Sequence, residues 1–195
     1  DKDTLDRLLQ SEDGNWAKAF LSAPVVHPPG SRFVYNSGAT YMLSAILHKV
    51  AGQSLLDYLE PRLFKPLGIV GATWETCPRG IAAGGWGLSI TTEDIAKFGQ
   101  LYLQNGVWNN HQLLPDGWAN KASSKQISNG DGGESDWTQG YGYQFWRCRH
   151  GAYRGDGAFG QFCVIMPEQD AVIVMTGGHH KLQEAMNAVW NHLLP

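Results

Sequence analysis

The spacing of apolar residues along this chain changes from a helical period to a strand period. In the first two thirds the spacing predicts helices over residues 4–10, 16–21, 39–51 and 54–64, and from Thr91 or Thr92 to Asn105. The period then becomes two, which predicts strands over residues 141–146, 152–155, 159–166 and 171–176, before a last amphipathic helix over 182–193. Helices followed by antiparallel strands predict an α+β fold.

The same change of period predicts how the chain is organised. Residues 1–140 are expected to form a mainly helical region, and residues 141–195 an antiparallel sheet covered by a C-terminal helix. The polar, glycine-rich residues 123–139 are predicted to form a mobile surface loop. A length of 195 residues fits one domain, or one domain and part of another.

Composition and charge exclude several classes of partner. The formal net charge of -3 and the scattered Lys and Arg residues provide neither a basic stripe for nucleic acid nor a polybasic membrane anchor. No apolar run approaches the roughly 20 residues of a membrane span. The N-terminus carries no signal-peptide pattern, which leaves a bacterial cytoplasm or periplasm open as the location.

The cysteines and histidines predict neither a disulfide framework nor a metal site. Cys77, Cys148 and Cys163 are an odd number without a C-x-x-C pair, so reduced thiols are expected, which favours the cytoplasm. The side chains of the adjacent His179 and His180 diverge, and no carboxylate stands at H-E-x-x-H spacing. The chain is therefore expected to need no metal and no cofactor.

A first candidate for chemistry is the run F-V-Y-N-S-G-A-T-Y-M-L-S over residues 33–44. Its Tyr35 follows a Pro-Gly turn and precedes a predicted helix, which places the phenol at the mouth of a loop. The alternative for such a Tyr is packing at the start of the helix, with its hydroxyl bonded to backbone.

A second candidate is the run G-D-G-A-F-G-Q over residues 155–161, in the predicted sheet. Gly157 would let a ligand approach the strand backbone closely, whereas the alternative is a bulged strand whose glycines only permit packing. Two upstream segments accompany it, A-G-G-W-G-L-S-I-T-T-E-D-I-A-K-F over residues 83–98 and G-Y-G-Y-Q-F-W over residues 140–146.

Taken in order, these segments resemble elements of the serine β-lactamase, penicillin-binding protein and esterase superfamily, in particular its class C-like branch. The resemblance covers residues 16–178 and implies a β-lactamase/transpeptidase-like fold and acyl transfer through a covalent Ser ester. It implies that Tyr35 and Ser37 match a catalytic Y-x-N or Y-x-S motif, in which the Tyr moves a proton between nucleophile and leaving group. The implied partner is a small-molecule ester or amide.

The strand motif resembles the K-T-G or H-x-G element of the same superfamily. Gly155, Asp156 and Gly157 match its three positions, and the resemblance implies that they bind substrate. It also implies that the N–H of Ala158 supplies half of an oxyanion hole, the other half coming from the amide of the nucleophile. Trp86 is implied to line the acyl pocket, although core packing is the usual situation of a Trp.

Two departures from the superfamily pattern change the expected chemistry. Gly155 stands where a Lys or His is usual, so a cation would have to come from Arg154 or elsewhere, and neutral esters, amides or cyclic amides are expected before penicillins. No Lys of the chain has a Ser three residues before it, so the S-x-x-K nucleophile motif is missing. We therefore expect a C-terminal portion, inactive alone, whose preceding segment carries S-x-x-K and further strands. The alternative is a non-catalytic pseudo-enzyme or binding module.

Overall fold

Five helices precede Ile90 in the computed structural model, which describes residues 2–194. They are α1 (Lys2–Leu9), α2 (Trp16–Leu21), α3 (Ser37–Ala51), α4 (Leu55–Leu59) and α5 (Lys65–Leu67), with a π-helical turn (Glu60–Phe64) between the last two. The side chain of Ser54 caps α4 through the N–H of Asp57, and Gly52 ends α3 at a φ of 67°, where a glycine is least strained. The predicted helices are thus found, with the one predicted over 54–64 broken into shorter pieces.

These helices share one apolar cluster. Its buried members are Leu8, Trp16, Tyr41, Cys77 and Ala83. Two short strands, β1 (Thr73–Trp74) and β2 (Leu88–Ser89), pair antiparallel in the same part of the chain. This cluster gives the helical part a core of its own, which is what allows it to pack as a separate unit.

After Ile90 the chain builds a helix, a small hairpin and a four-stranded sheet. The elements are α6 (Thr92–Leu103), β3 (Val107–Trp108), β4 (His111–Gln112), α7 (Trp118–Ser123), β5 (Trp146–Arg147), β6 (Tyr153–Gly157), β7 (Gln161–Met166), β8 (Ala171–Met175) and α8 (Leu182–Leu193). The sheet has the order β5-β6-β7-β8, and all neighbours are antiparallel. Thr91 caps α6 by accepting from the N–H of Asp94 at 3.2 Å.

Helices cover both faces of this sheet. On one face, α6 approaches so closely that a Cβ atom at Gly99 would lie 2.7 Å from the Sγ of Cys163. On the other face, Met186 and Trp190 of α8 pack in a cluster with Phe162 and with other residues of β7. The alternation of the strand residues between these two clusters confirms the predicted α+β class.

Three details differ from the sequence prediction. The strand predicted over 141–146 is reduced to β5, because Tyr141 forms only isolated bridges with Ile127 and Trp146. Helix α7 was not predicted, because Gly117 at its N-cap provides no side-chain capping signal. The segment 123–139 has no helix or strand beyond Ser123 but is anchored by Asp136, whose side chain is fully buried. The prediction of a mobile loop was therefore wrong at this anchor.

The packing separates an N-terminal unit that ends at Ile90 from a C-terminal unit that begins at Thr91. The predicted division into residues 1–140 and 141–195 follows secondary structure instead and stays a prediction. Helix α6 belongs to the same unit as the sheet because its apolar face packs on β7 and β8. Within residues 2–194, none of the helices combines the length and apolar character that a membrane span requires.

Candidate functional site

Tyr35 lies in the loop that leads into α3, and 41% of its surface is exposed. The next residue, Asn36, is the N-cap of the helix: its Oδ1 accepts from the N–H of Ala39 at 3.0 Å. The backbone of Asn36 is extended, with φ -145° and ψ 102°, so the chain turns into the helix only at Ser37. The phenol is therefore carried immediately outside a capped helix, at the loop position that the sequence predicts.

A glycine pair packs against the N-terminal half of α3. A Cβ atom at Gly85 would lie 3.0 Å from the carbonyl oxygen of Ser37, and one at Gly84 would lie 2.9 Å from the Cβ of Ser44. Only residues without a side chain allow this approach. Ser37 is half-buried as the first residue of α3, so Gly85 lies at the start of the helix that Tyr35 precedes.

Trp86 follows this glycine pair and is half-buried. Its ring lies 5.5 Å from the ring of Trp16, and its carbonyl oxygen accepts from the Nε1 of Trp74 at 2.8 Å. These are the surroundings of a side chain at the edge of the core. A contribution of Trp86 to an acyl pocket stays a prediction.

Burial distinguishes Tyr35 from three other tyrosines of the chain. Burial raises the pKa of Tyr41 and of Tyr102, and it raises the pKa of Tyr153 to about 12. All three are less than a tenth exposed. A residue that transfers a proton has to exchange it near the working pH and has to reach the substrate. The raised pKa and the burial of these three tyrosines make them unsuitable on both grounds. Tyr35 is better suited, because its hydroxyl-bearing ring is accessible.

The predicted strand motif occupies the end of β6 and the turn that follows. Gly155 and Gly157 pair with Cys163 and Gln161 of β7. The register of β5 with β6 ends at Arg154, so in the described part of the chain residues 155–157 have a strand partner on one side only. An unoccupied strand edge offers backbone groups to a ligand.

Ala158 is the first residue of the turn and is exposed. Within residues 2–194, no acceptor is hydrogen-bonded to its N–H. The next residue, Phe159, has a φ of 65°, which is strained for a side chain with a Cβ, and Gly160 has a φ of 93°. An exposed, unpaired N–H beside a strained residue is the kind of donor that an oxyanion hole uses. The role itself stays a prediction.

The structure corrects the suggestion that Arg154 offers a cation to the substrate. Arg154 is completely buried, and its Nη2 donates to the Oδ2 of Asp156 at 2.7 Å. Its guanidinium carbon lies 4.3 Å from the centre of the Trp137 ring. Burial raises the pKa of Asp156, and the positive charge of Arg154 opposes that effect. Both side chains of this pair are therefore directed into the unit and bind each other.

The sequence did not predict that Asp136 holds the pair of Arg154 and Asp156 in place through a hydrogen bond with Arg154. Its carbonyl oxygen accepts from the Nη1 of Arg154 at 2.7 Å. Its carboxylate accepts from Arg149, from the Nε2 of Gln183 at 2.7 Å and from the Nε1 of Trp190 at 2.9 Å. Asp136 lies in a polar stretch without periodicity, so no local pattern indicates that it is buried. The neighbouring Trp137, a large apolar residue, is the one sequence signal that this part of the segment is buried.

The described residues were expected to bind no metal, and the relevant feature is how their possible ligand side chains are grouped. Among residues 2–194, no three His, Cys, Asp or Glu side chains come together in a way that could hold a metal ion. The contacts of His179 and His180 are instead with the turn after β6, where the ring of His180 lies 5.2 Å from that of Phe159.

The fold and sequence are similar to those of known hydrolases. A curated 6-aminohexanoate-dimer hydrolase of Paenarthrobacter ureafaciens is 28% identical over 149 residues, which are 73% of this chain and 38% of that protein. The solved structure of a proposed 6-aminohexanoate-dimer hydrolase from Bacillus anthracis is also 28% identical, with a TM-score of 0.76 over 97% of this chain and 51% of its own. The chain thus spans about half the length of these relatives or less.

A more distant similarity concerns the fold alone. A penicillin-binding protein from Bacillus halodurans is 19% identical, with a TM-score of 0.65 over 98% of this chain and 62% of its own. The sequence profile of the beta-lactamase family matches residues 2–188, which is nearly the whole chain. Profile, fold and relatives agree, and this chain belongs to the beta-lactamase family of serine β-lactamase-like hydrolases.

Proposed function

We propose that this chain is part of a serine hydrolase that cleaves an amide or ester through a covalent acyl-enzyme. The observation that carries the proposal is the end of β6, where the exposed Ala158 has no acceptor for its N–H among residues 2–194, at the position that its family resemblance gives to an oxyanion donor. Membership of the beta-lactamase family supports the class of reaction.

The proposed reaction assigns one step to each group. A Ser hydroxyl attacks the substrate carbonyl carbon, and the oxygen that becomes negative is stabilised by the N–H of Ala158. Tyr35, ionised beside the ammonium of the proposed S-x-x-K Lys, takes the proton of the Ser hydroxyl and delivers it to the departing nitrogen or oxygen, so the bond to the leaving group breaks without a free charge. A water molecule then attacks the acyl-Ser carbonyl and gives a proton to the Ser oxygen, which releases the acid and restores the Ser.

The nucleophile in this proposal lies outside residues 1–195. No Lys of the chain has a Ser three residues before it. The chain matches only 38% of the length of its curated relative. We propose that the S-x-x-K segment belongs to another part of the complete protein and that the 195-residue chain alone is inactive.

The proposed substrate is a small amide or ester without a required anionic group. Gly155 offers no side chain, and the guanidinium of Arg154 is buried against Asp156, so β6 presents no cation for a carboxylate. The two relatives at 28% identity carry the name of a 6-aminohexanoate-dimer hydrolase. A linear amide is therefore favoured over a β-lactam as the first substrate to test.

Labelling of the native protein with a fluorophosphonate tests the proposal. Such a probe reacts with an activated Ser, and peptide mapping then locates the label. We expect a label on the Ser of an S-x-x-K segment outside residues 1–195, and hydrolysis of a linear aminohexanoate amide ahead of a chromogenic β-lactam. A native protein that is no longer than this chain and does not label would contradict the hydrolase.

Replacement of Tyr35 tests its role in the active protein. Tyr35→Phe removes only the hydroxyl and should lower kcat by about 10² to 10⁴-fold, the usual contribution of a general acid–base group. Tyr143→Phe is the matched control, because Tyr143 is 43% exposed against 41% for Tyr35. If both substitutions change kcat by a similar small factor, Tyr35 does not transfer the proton in this reaction.

A second candidate function is a non-catalytic binding module on the same scaffold. The missing S-x-x-K motif is the observation that favours it. Loss of the nucleophile leaves at most a residual acceleration of about 10³ to 10⁴-fold over water in serine hydrolases with a triad. The labelling experiment separates the two candidates, since a binding module contains no activated Ser.

A further inference from the structure

We propose that Gln161 is a positioning residue that fixes the direction of the Ala158 N–H. This inference rests on the proposed function, in which that N–H stabilises the oxyanion. Gln161 is the first residue of β7 and follows the turn formed by Ala158, Phe159 and Gly160. It does not reach the substrate position itself in this proposal but acts through the backbone of the turn.

Both ends of the Gln161 carboxamide are used. Its Nε2 donates to the carbonyl oxygen of Gly177 at 2.6 Å and to that of Ala158 at 3.3 Å. Its Oε1 accepts from the N–H of Gly177 at 3.2 Å. One side chain thus ties the turn after β6 to the segment after β8, which lies sixteen residues further along the chain.

Gln161 restrains both peptide planes that flank Ala158. The preceding plane, which contains the Ala158 N–H, adjoins Gly157, and Gly157 stands opposite Gln161 in the register of β6 and β7. The following plane contains the Ala158 carbonyl, which accepts from the Gln161 side chain. A Cβ atom at Gly157 would lie 2.9 Å from the Cβ of Gln161, so the close approach of the clamp requires a glycine there. In this proposal, strand pairing and the side-chain bond together limit the directions that the Ala158 N–H can take.

The turn needs such a clamp because its conformation is strained. Phe159 has a φ of 65°, a region that a bulky side chain rarely occupies. Such a residue persists only where its surroundings impose the conformation. Besides Gln161, the segment after β8 contributes the N–H of His179, which donates to the carbonyl of Phe159 at 3.0 Å. Gly160 leaves room for the His179 ring, whose Nε2 would lie 2.8 Å from a Cβ at that position.

Relaxation of the ¹⁵N backbone amides of the 195-residue chain tests the clamp without any need for activity. Gln161→Ala removes all three bonds, and Gln161→Glu keeps the shape but loses the two donated bonds. We expect both variants to lower the order parameters of the Ala158, Phe159 and Gly160 amides from about 0.85, the value of rigid backbone, toward about 0.6, with little change in the melting temperature. Unchanged order parameters at Ala158 in both variants would overturn the proposal.

Gln112→Ala is the matched control. The Nε2 of Gln112 also bridges two carbonyl oxygens, those of Asn105 at 3.1 Å and Leu114 at 2.7 Å, in the same unit. Its loss should lower the order parameters around β3 and β4 and leave that of Ala158 unchanged. A similar decrease at Ala158 in this control would assign the effect to general loosening of the unit and so overturn the specific role of Gln161.

Kinetics of the complete hydrolase separate this role from the proposed function. Because the oxyanion forms only in the transition state, Gln161→Glu should lower kcat about tenfold or more at an unchanged KM. A rise in KM alone would overturn positioning. Absence of hydrolysis by the wild-type protein would overturn the proposed function, whereas the order parameter of the Ala158 amide decides in either case whether Gln161 orders Ala158.

Discussion

The two segments that carry the proposed chemistry, Tyr35–Ser37 and Gly155–Ala158, are held in place by different means. In the first, Asn36 accepts from the N–H of Ala39, three residues ahead. In the second, Arg154 donates to the carbonyl of Asp136, which lies eighteen residues away in the sequence. One segment depends on a local cap, and the other on distant side chains that converge on one strand.

The difference sets how strongly each segment resists change. A cap satisfies one backbone donor at a half-exposed helix end and contributes about 1 kcal/mol. The buried pair of Arg154 and Asp156 has no solvent to replace a lost partner, so each member depends on the other. We expect substitutions in the Tyr35 segment to lower the free energy of unfolding by small amounts, and substitutions in the β6 segment to lower it by large amounts.

The largest expected effect follows the loss of Arg154. Arg154→Met keeps an unbranched apolar stem but leaves the Asp156 carboxylate buried without its cation, and the Asp136 carbonyl without a donor. We expect a loss of about 3 to 5 kcal/mol in the free energy of unfolding, measured by urea denaturation of the 195-residue chain. A loss below about 1 kcal/mol would mean that water or a neighbour replaces the guanidinium.

A double-mutant cycle measures how strongly Arg154 and Asp156 depend on each other. Arg154→Met combined with Asp156→Leu should cost less than the sum of the single changes, with a coupling of about 1 to 3 kcal/mol. The pair of Lys181 and Glu184 is the control, because its charged atoms lie 3.2 Å apart while its side chains are 74% and 68% exposed. That pair should show no measurable coupling. Comparable coupling in both cycles would contradict the importance of burial.

The next effect is a pH dependence that arises at Asp136. Burial alone would raise the pKa of this carboxyl, but hydrogen bonds from Arg149, Trp190 and Gln183 outweigh it and lower the pKa below its usual value of 3.8. A lowered pKa means that the folded state favours the ionised form. The resulting stability is present above about pH 4 and is lost as the pH falls through the folded pKa, at no more than about 1.4 kcal/mol per pH unit.

Acid titration of stability measures this contribution. Asp136→Asn cannot titrate, so its stability should fall less steeply than that of the wild type between about pH 4 and pH 2, from a lower starting value at pH 7. Asp131→Asn, at an exposed position of the same segment, should keep the wild-type slope. Parallel acid profiles for all three proteins would show that Asp136 is not a source of the acid sensitivity.

The sequence is informative about the fold wherever interactions are local. A glycine stop at Gly52 and the helical period place α3, and the period of two places β7 and β8, with ends that shift by only a few residues. Helix α7, which has no side-chain cap, was missed, and the strand predicted over 141–146 is shortened to the two residues of β5. Their existence depends on tertiary packing, which a short apolar run does not reveal.

The candidate site could be predicted only in part for the same reason. The positions of Tyr35 and Ala158 at loop ends follow from turn and strand signals near them in sequence. The burial of Arg154 does not, because a charged residue between Tyr153 and Gly155 gives no sign of the carbonyl and the aromatic rings that surround it. The clamp of Gln161 is equally hidden, since its main partner is Gly177.

The smallest expected effect on the free energy of unfolding concerns the Tyr35 segment, which depends on a local helix cap. Asn36→Ala removes the cap of α3 and should cost about 1 kcal/mol of unfolding free energy, measured by urea denaturation, while Asn36→Asp or Asn36→Ser should restore most of it. Because the lost bond involves the N–H of Ala39, increased exchange should be confined to the first turn of α3 and leave Ala158 unchanged. A loss as large as that of Arg154→Met would show that Asn36, too, is part of a distant network, with its bond to the Oγ1 of Thr4 at 3.5 Å as the first place to search.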